Sequence, residues 1–117
     1  MRPRAAIISA CLAVGFGGAA FAHHGWGSYD ASKTMTIEAA VSRVDWQNPH
    51  VHIAVNHAGG TWDVVLAPPF RMQARGLSPE SIGVDARVRV EGYPSTRAER
   101  EMRAERIAVD GKVYELR

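Results

Sequence analysis

His50-Val51-His52-Ile53-Ala54-Val55-Asn56-His57-Ala58-Gly59-Gly60-Thr61-Trp62-Asp63-Val64-Val65-Leu66 is the stretch on which the fold class turns. Val51, Ile53 and Val55 alternate with His50, His52 and Ala54, the period of two that marks a half-buried strand. Ala58-Gly59-Gly60 is a hairpin turn signal. Trp62, Val64 and Leu66 then resume the alternation on a returning strand, with Trp62 in the core-facing register.

Upstream, Met35, Ile37, Ala39 and Val41 alternate with Thr36, Glu38, Ala40 and Ser42, which predicts an earlier strand that Asn48-Pro49 separates from the hairpin. Downstream, Pro68-Pro69 ends the third strand, because proline cannot donate to a ladder. Phe70 to Ala74 reads as a short helical turn with Gly76 placed as its left-handed cap, and Ser78-Pro79-Glu80-Ser81 as a turn or a second short helix. Ala86, Val88 and Val90 alternate with Arg87, Arg89 and Glu91 in a fourth strand that Gly92-Tyr93-Pro94 is expected to close. Residues 97–106 have a helix-favouring composition, with Glu99 and Arg103 at helix-neighbour spacing. Ile107-Ala108-Val109, Asp110-Gly111 and Val113-Tyr114-Glu115-Leu116 read instead as a terminal hairpin. A strand starting near Met102 is preferred over a helix there, since the last strand needs something to pair with.

This order predicts a mainly β chain, an OB-like barrel of five or six strands over residues 34–117, with one short helix after the third strand. A small sandwich would give a similar pattern. Closure would also remove unpaired edges.

The chain of 117 residues suits one domain. Its net charge of +2 and pI near 9.0 invite a nucleic-acid reading. Residues 1–22 remove that reading. Arg2 and Arg4 precede an apolar run from Ala5 to Phe16, and Ala20-Phe21-Ala22 is a small-x-small cleavage site, so these residues are expected to be a cleaved secretory signal. The run is interrupted by Gly15, Gly17 and Gly18, which argues against a stable membrane span. Without that segment the 14 basic residues fall by Arg2 and Arg4 to 12, against 12 acidic ones. The only cysteine, Cys11, goes with it. The expected product is a periplasmic or secreted domain, neutral and without thiol or disulfide, that begins at His23 and has no nucleic-acid partner.

Cleavage after Ala22 would expose His23, followed by His24. An N-terminal histidine offers its α-amine and an imidazole nitrogen to one ion, and nitrogen donors suit Cu(II), first in the divalent affinity order, with zinc the second choice. His50 and His52, two apart on a strand, are candidates to complete the site. Each histidine also has a structural reading: a solvated terminus for His23 and His24, a turn cap for His50, plain surface for His52 and His57. Residues 23–33 form an arm in which Trp26 and Tyr29 either pack onto the barrel or contact a ligand. No serine sits in a nucleophile elbow, the acids Asp30, Asp45 and Asp63 show no pairing pattern, and no phosphate loop is present, so an enzyme is disfavoured and no catalytic residue is assigned. Arg87, Arg89, Arg97, Arg100, Arg103 and Arg106 interleave with Glu91, Glu99, Glu101 and Glu105 as a solvated mixed surface.

His23-His24-Gly25-Trp26-Gly27-Ser28-Tyr29-Asp30, Ile37-Glu38-Ala39-Ala40-Val41, Trp46-Gln47-Asn48-Pro49-His50 and the closing Gly83-Val84-Asp85-Ala86-Arg87-Val88-Arg89-Val90-Glu91-Gly92 together resemble the DUF6152 family of small exported bacterial proteins. The resemblance covers nearly all of the chain after residue 22. It implies an exported, single-domain, β-rich fold without an assigned activity. Its motif residues fall on His23, His24, Asp30, Asn48, Pro49 and His50; His52 is outside the pattern. Ala39-Ala40 stands where a glycine is expected before Val41, which bears on strand packing. The resemblance strengthens the grouping of His23 and His24 with His50. A competing expectation is a non-catalytic accessory module that recognises a peptide, sugar or protein through Trp26, Tyr29 and Asn48.

Overall fold

Strand β1 (Met35–Asp45) is the organising element of the structure, a computed structural model that describes residues 25–117. The expected signal segment, His23 and His24 lie outside the described residues. Ile37, Ala39 and Val41 of β1 are buried as the alternation requires. A register shift between Val41 and Arg43 bends the strand, so that Met35 to Ala40 pair with β4 (Arg87–Pro94) while Val41 to Asp45 pair with β2 (His52–His57). A bulge of this kind lets one long strand serve two parts of a closed sheet.

β2 and β3 (Gly60–Val65) form the expected hairpin, its turn made by Ala58 and Gly59 at φ 49° and 77°. Both central residues at positive φ are what a two-residue hairpin turn needs to match strand twist. The terminal hairpin, β5 (Glu101–Val109) with β6 (Lys112–Glu115), repeats the device with Asp110 and Gly111 at φ 50° and 80°. Residues 101–109 are therefore strand, as preferred over helix.

Between β3 and β4 lies the short helix α1 (Pro69–Ala74). Proline at its first position costs no hydrogen bond. At its end Gly76 takes φ 99°, its N–H donates to the Gln73 carbonyl, and the Leu77 N–H donates to the Met72 carbonyl. These two hydrogen bonds close the helix, and buried Met72 and Leu77 accompany them. Residues 78–81 form a turn.

The strand order is β3-β2-β1-β4-β5-β6, and β3 also pairs with β5 in parallel. β1 to β5 thus close into a mixed barrel with β6 as one added strand, confirming the OB-like expectation. The interior is filled by Ile37, Val41, Ile53, Val55, Val64, Val90, Met102 and Ile107, all essentially inaccessible. Trp46 and Trp62 are half-buried and pack against this core.

One expectation is refined. The fourth strand does end at Gly92-Tyr93-Pro94, but these residues belong to it: β4 pairs Gly92, Tyr93 and Pro94 with Ala104, Arg103 and Met102 before stopping at the proline. The register shifts between Glu91 and Gly92, and a Cβ at Gly92 would overlap the backbone carbonyl of Arg103. Glycine is there because two backbones approach closely, and proline is tolerated at the strand's end.

Candidate functional site

The arm beginning at Gly25 crosses one end of the barrel. Its 3-10 turn (Trp26–Ser28) delivers Tyr29 into a bridge with Ser95. The Asp30 N–H donates to the Pro94 carbonyl at 2.9 Å, and the Thr96 N–H donates to the Ser28 carbonyl at 2.9 Å. Trp26 lies 4.2 Å from the Arg103 guanidinium carbon and 4.5 Å from that of Arg117, and meets Tyr93 edge-on at 6.2 Å. Tyr29 is buried, and its hydroxyl donates to Glu101 Oε2 at 3.0 Å. Burial, then the Glu101 carboxylate, holds this phenol far above its ordinary range. Asp30 ends the arm by accepting from the Ser32 N–H and hydroxyl, which keeps its carboxyl below the usual carboxylate range. Both aromatics thus pack the arm onto the barrel.

Asn48 and Pro49 are exposed and joined by a cis peptide bond. His50 precedes β2 and is buried, with Nε2 3.4 Å from Arg103 Nη2. Because a guanidinium only donates, this contact makes Nε2 the acceptor and places the His50 proton on Nδ1. Arg103 is itself buried; desolvation pulls its pKa down, and neighbouring Arg71 and Arg117 act in the same direction.

His52 stands in a different setting. In the β2–β3 ladder His52 is opposite Val65 and Ala54 is opposite Asp63, which makes His52 and Asp63 diagonal neighbours on one face. His52 Nδ1 is 3.0 Å and 3.2 Å from the two Asp63 oxygens. This hydrogen bond raises the His52 pKa above its ordinary value against the opposing effect of burial, helped by the charges of Asp63, Glu101 and Asp45. The parallel β3–β5 pairing places Asp63 directly opposite Glu101. Tyr29, Glu101, Asp63 and His52 therefore form one row across the barrel end. Beside it is a cavity of about 150 Å³ lined by Ser28, Tyr29, His52, Ser95, Arg97 and Glu101, among others.

Of the residues singled out from sequence, Trp26, Tyr29, His50 and His52 gather at this end, while His57 is remote from it and packs edge-on against Trp62 at 6.1 Å. Asp63, Glu101 and Arg103 were not singled out as site residues. The Asp63 pairing was available from hairpin arithmetic, since a two-residue turn at Ala58-Gly59 fixes His57 opposite Gly60 and hence Ala54 opposite Asp63. Glu101 and Arg103 carried no such signal, because they arrive through the non-local β3–β5 closure. Among the described residues, no three His, Cys, Asp or Glu side chains are grouped so as to hold a metal ion by themselves. Nor is any helix among them long and apolar enough to cross a membrane.

No curated protein matches the chain. The model of one family, described as a family of unknown function, matches residues 10–115. A small OB-like β-barrel whose N-terminal arm is pinned across a histidine-bearing end, the chain belongs to the DUF6152 family.

Proposed function

We propose that this protein is exported to the periplasm or secreted and binds a transition-metal ion, copper before zinc, at the arm-covered end of its barrel through its processed N-terminus. His23 supplies its α-amine and imidazole, His24 adjoins it, and the barrel completes the donor set. The observation that carries this reading is the anchoring of the arm: Trp26 lies on Arg103 beside His50, and Ser28 and Tyr29 line the cavity that His52 also lines. His23 stands two residues before Gly25, the first described residue of the anchored arm, and two residues of chain span at most about 7 Å. Among strong donors, amine and imidazole nitrogens favour Cu(II) over the earlier divalent ions.

The size of the cavity supports an ion over a larger ligand. At about 150 Å³ it is smaller than the ~300–1,000 Å³ of pockets that enclose a drug-sized molecule. An accessory module recognising a peptide or sugar would need Trp26 and Tyr29 as contacts, and both are engaged in holding the arm.

Calorimetric titration with Cu(II) tests the proposal, comparing a chain that starts at His23 with one carrying an extra residue before it. The extra residue converts the amine to an amide and should weaken binding by about 100-fold or more, the loss of a first-order ligand. Equal, weak binding by both chains would overturn the proposal. Intact-mass measurement of the exported protein should show His23 as its first residue.

A further inference from the structure

We infer that the barrel's own ligands to this ion are His52, through Nε2, and the Glu101 carboxylate, rather than His50. This rests on the metal-binding reading above and assigns the barrel half of that site.

A metal-bound histidine characteristically gives its second ring nitrogen to a carboxylate, which fixes the tautomer and aims the ring. His52 has that partner: its Nδ1 is 3.0 Å from Asp63 Oδ1. With the proton on Nδ1 shared with Asp63, Nε2 carries the lone pair a metal needs. It has no hydrogen-bond partner among the described residues. Its side chain is 24% exposed and lines the cavity.

Glu101 is prepared in the same way. The Tyr29 hydroxyl donates to Oε2 at 3.0 Å, which orients the carboxylate and leaves Oε1 to face other partners. Glu101 lines the same cavity as His52, and β3–β5 pairing sets it directly opposite Asp63. The His52 imidazole and the Glu101 carboxylate therefore line one cavity, with Asp63 behind His52 and Arg97 as the one arginine on the lining. An imidazole nitrogen and a carboxylate oxygen are donors that both zinc and copper accept.

His50 has the opposite surroundings. Its Nε2 accepts from the Arg103 guanidinium at 3.4 Å, and both residues are buried, at 7% exposure each. An ion on that nitrogen would have to displace a buried guanidinium and remain beside its charge, in a region that Arg71 and Arg117 make more positive. The role left to His50 is to hold Arg103, on which Trp26 and hence the arm rest.

The test is a Cu(II) titration of the chain beginning at His23, in the unsubstituted protein and in His52→Ala, Glu101→Gln, Asp63→Asn and His50→Gln, with circular dichroism melts confirming that each variant is folded. His52→Ala and Glu101→Gln should each weaken binding about 10-fold or more, and Asp63→Asn by about 10- to 100-fold as the loss of an orienting partner. His50→Gln, at a residue that holds the arm through Arg103, is judged by the copper spectrum rather than by affinity. Copper paramagnetic resonance should show one imidazole fewer in His52→Ala and the full number in His50→Gln. If the copper spectrum loses an imidazole in His50→Gln, or if His52→Ala and Glu101→Gln bind like the unsubstituted chain, the assignment is overturned while the metal-binding proposal stands. If the unsubstituted chain does not bind Cu(II), both fall together.

Discussion

Gly92→Ala is the substitution whose cost can be worked most directly from the structure. A Cβ built on Gly92 lies 2.7 Å from the carbonyl carbon of Arg103 and 2.8 Å from Ala104 Cα, with the Arg103 oxygen closer still. Carbon atoms prefer separations of about 3.5–4.0 Å, so β4 and β5 would have to part by roughly 1 Å at this point. All three obstructing atoms are backbone, so no side chain can swing away. Overpacking costs about 1–3 kcal/mol. Weakening one adjacent ladder hydrogen bond adds about 0.5–1.5 kcal/mol. The expected loss is therefore about 3 kcal/mol, which for a domain of this size lowers the melting temperature by roughly 12–24 °C. Because Gly92, Tyr93 and Pro94 pair with Ala104, Arg103 and Met102, the shift should also move Arg103 away from Trp26 and quench or shift tryptophan emission. Urea denaturation followed by circular dichroism measures the loss. Gly83→Ala, where a Cβ meets nothing within 4 Å, is the control and should change stability by less than about 0.5 kcal/mol. A Gly92→Ala variant within about 1 kcal/mol of the parent would refute the close-approach argument.

Three further outcomes are expected. Met102 is wholly inaccessible in β5, so Met102→Ala should cost about 2–5 kcal/mol in urea denaturation; a cost below 1 kcal/mol would mean that the barrel interior is not packed as described. Arg106 donates to Glu91 Oε2 and Glu115 Oε1, each at 3.0 Å, and ties β6 to its neighbours, yet it is 37% exposed; Arg106→Ala should cost about 1 kcal/mol or less, and a melt in 1 M salt should erase most of the difference. The Tyr93 hydroxyl donates to Glu105 Oε2 at 2.6 Å, and that bond raises its pKa, with burial and the Glu105 charge adding and Arg117 and Arg106 opposing. The folded state thus favours the neutral phenol, so its contribution is complete below the ordinary phenol pKa of about 10 and is lost as pH rises through the raised value. Urea midpoints between pH 8 and 11 should fall less steeply in Tyr93→Phe than in the parent, and identical slopes would contradict this.

The parts of the fold that were legible in the sequence are those set by local chemistry. Alternation from Met35 to Val41, positive-φ turns at Ala58-Gly59 and Asp110-Gly111, and the Pro69 and Gly76 brackets of α1 each follow from a few adjacent residues. The passage of β4 through Gly92-Tyr93-Pro94 was not legible, because glycine and proline mark both the end of a strand and a close crossing, and only the presence of Arg103 opposite distinguishes them. The candidate site divides in the same way. His50, His52, Trp26 and Tyr29 were visible as residue types in short range. Asp63 needed the hairpin register, and Glu101 and Arg103 needed the parallel closure of β3 on β5, a pairing between strands separated by a helix and another strand. The histidine whose sequence neighbours looked most motif-like, His50, proves to be buried against a guanidinium, a contact that no local pattern encodes.

The proposed metal site lies between an N-terminus processed at His23 and the barrel end. A crystal structure of the Cu(II)-loaded chain beginning at His23, with anomalous data collected at the copper edge, tests it most directly. One anomalous peak is expected in the cavity beside Tyr29, about 2 Å from the His23 amine and imidazole and from His52 Nε2, with Glu101 coordinating and His50 still against Arg103. A peak bound to His50, or no peak at this end of the barrel, would contradict it.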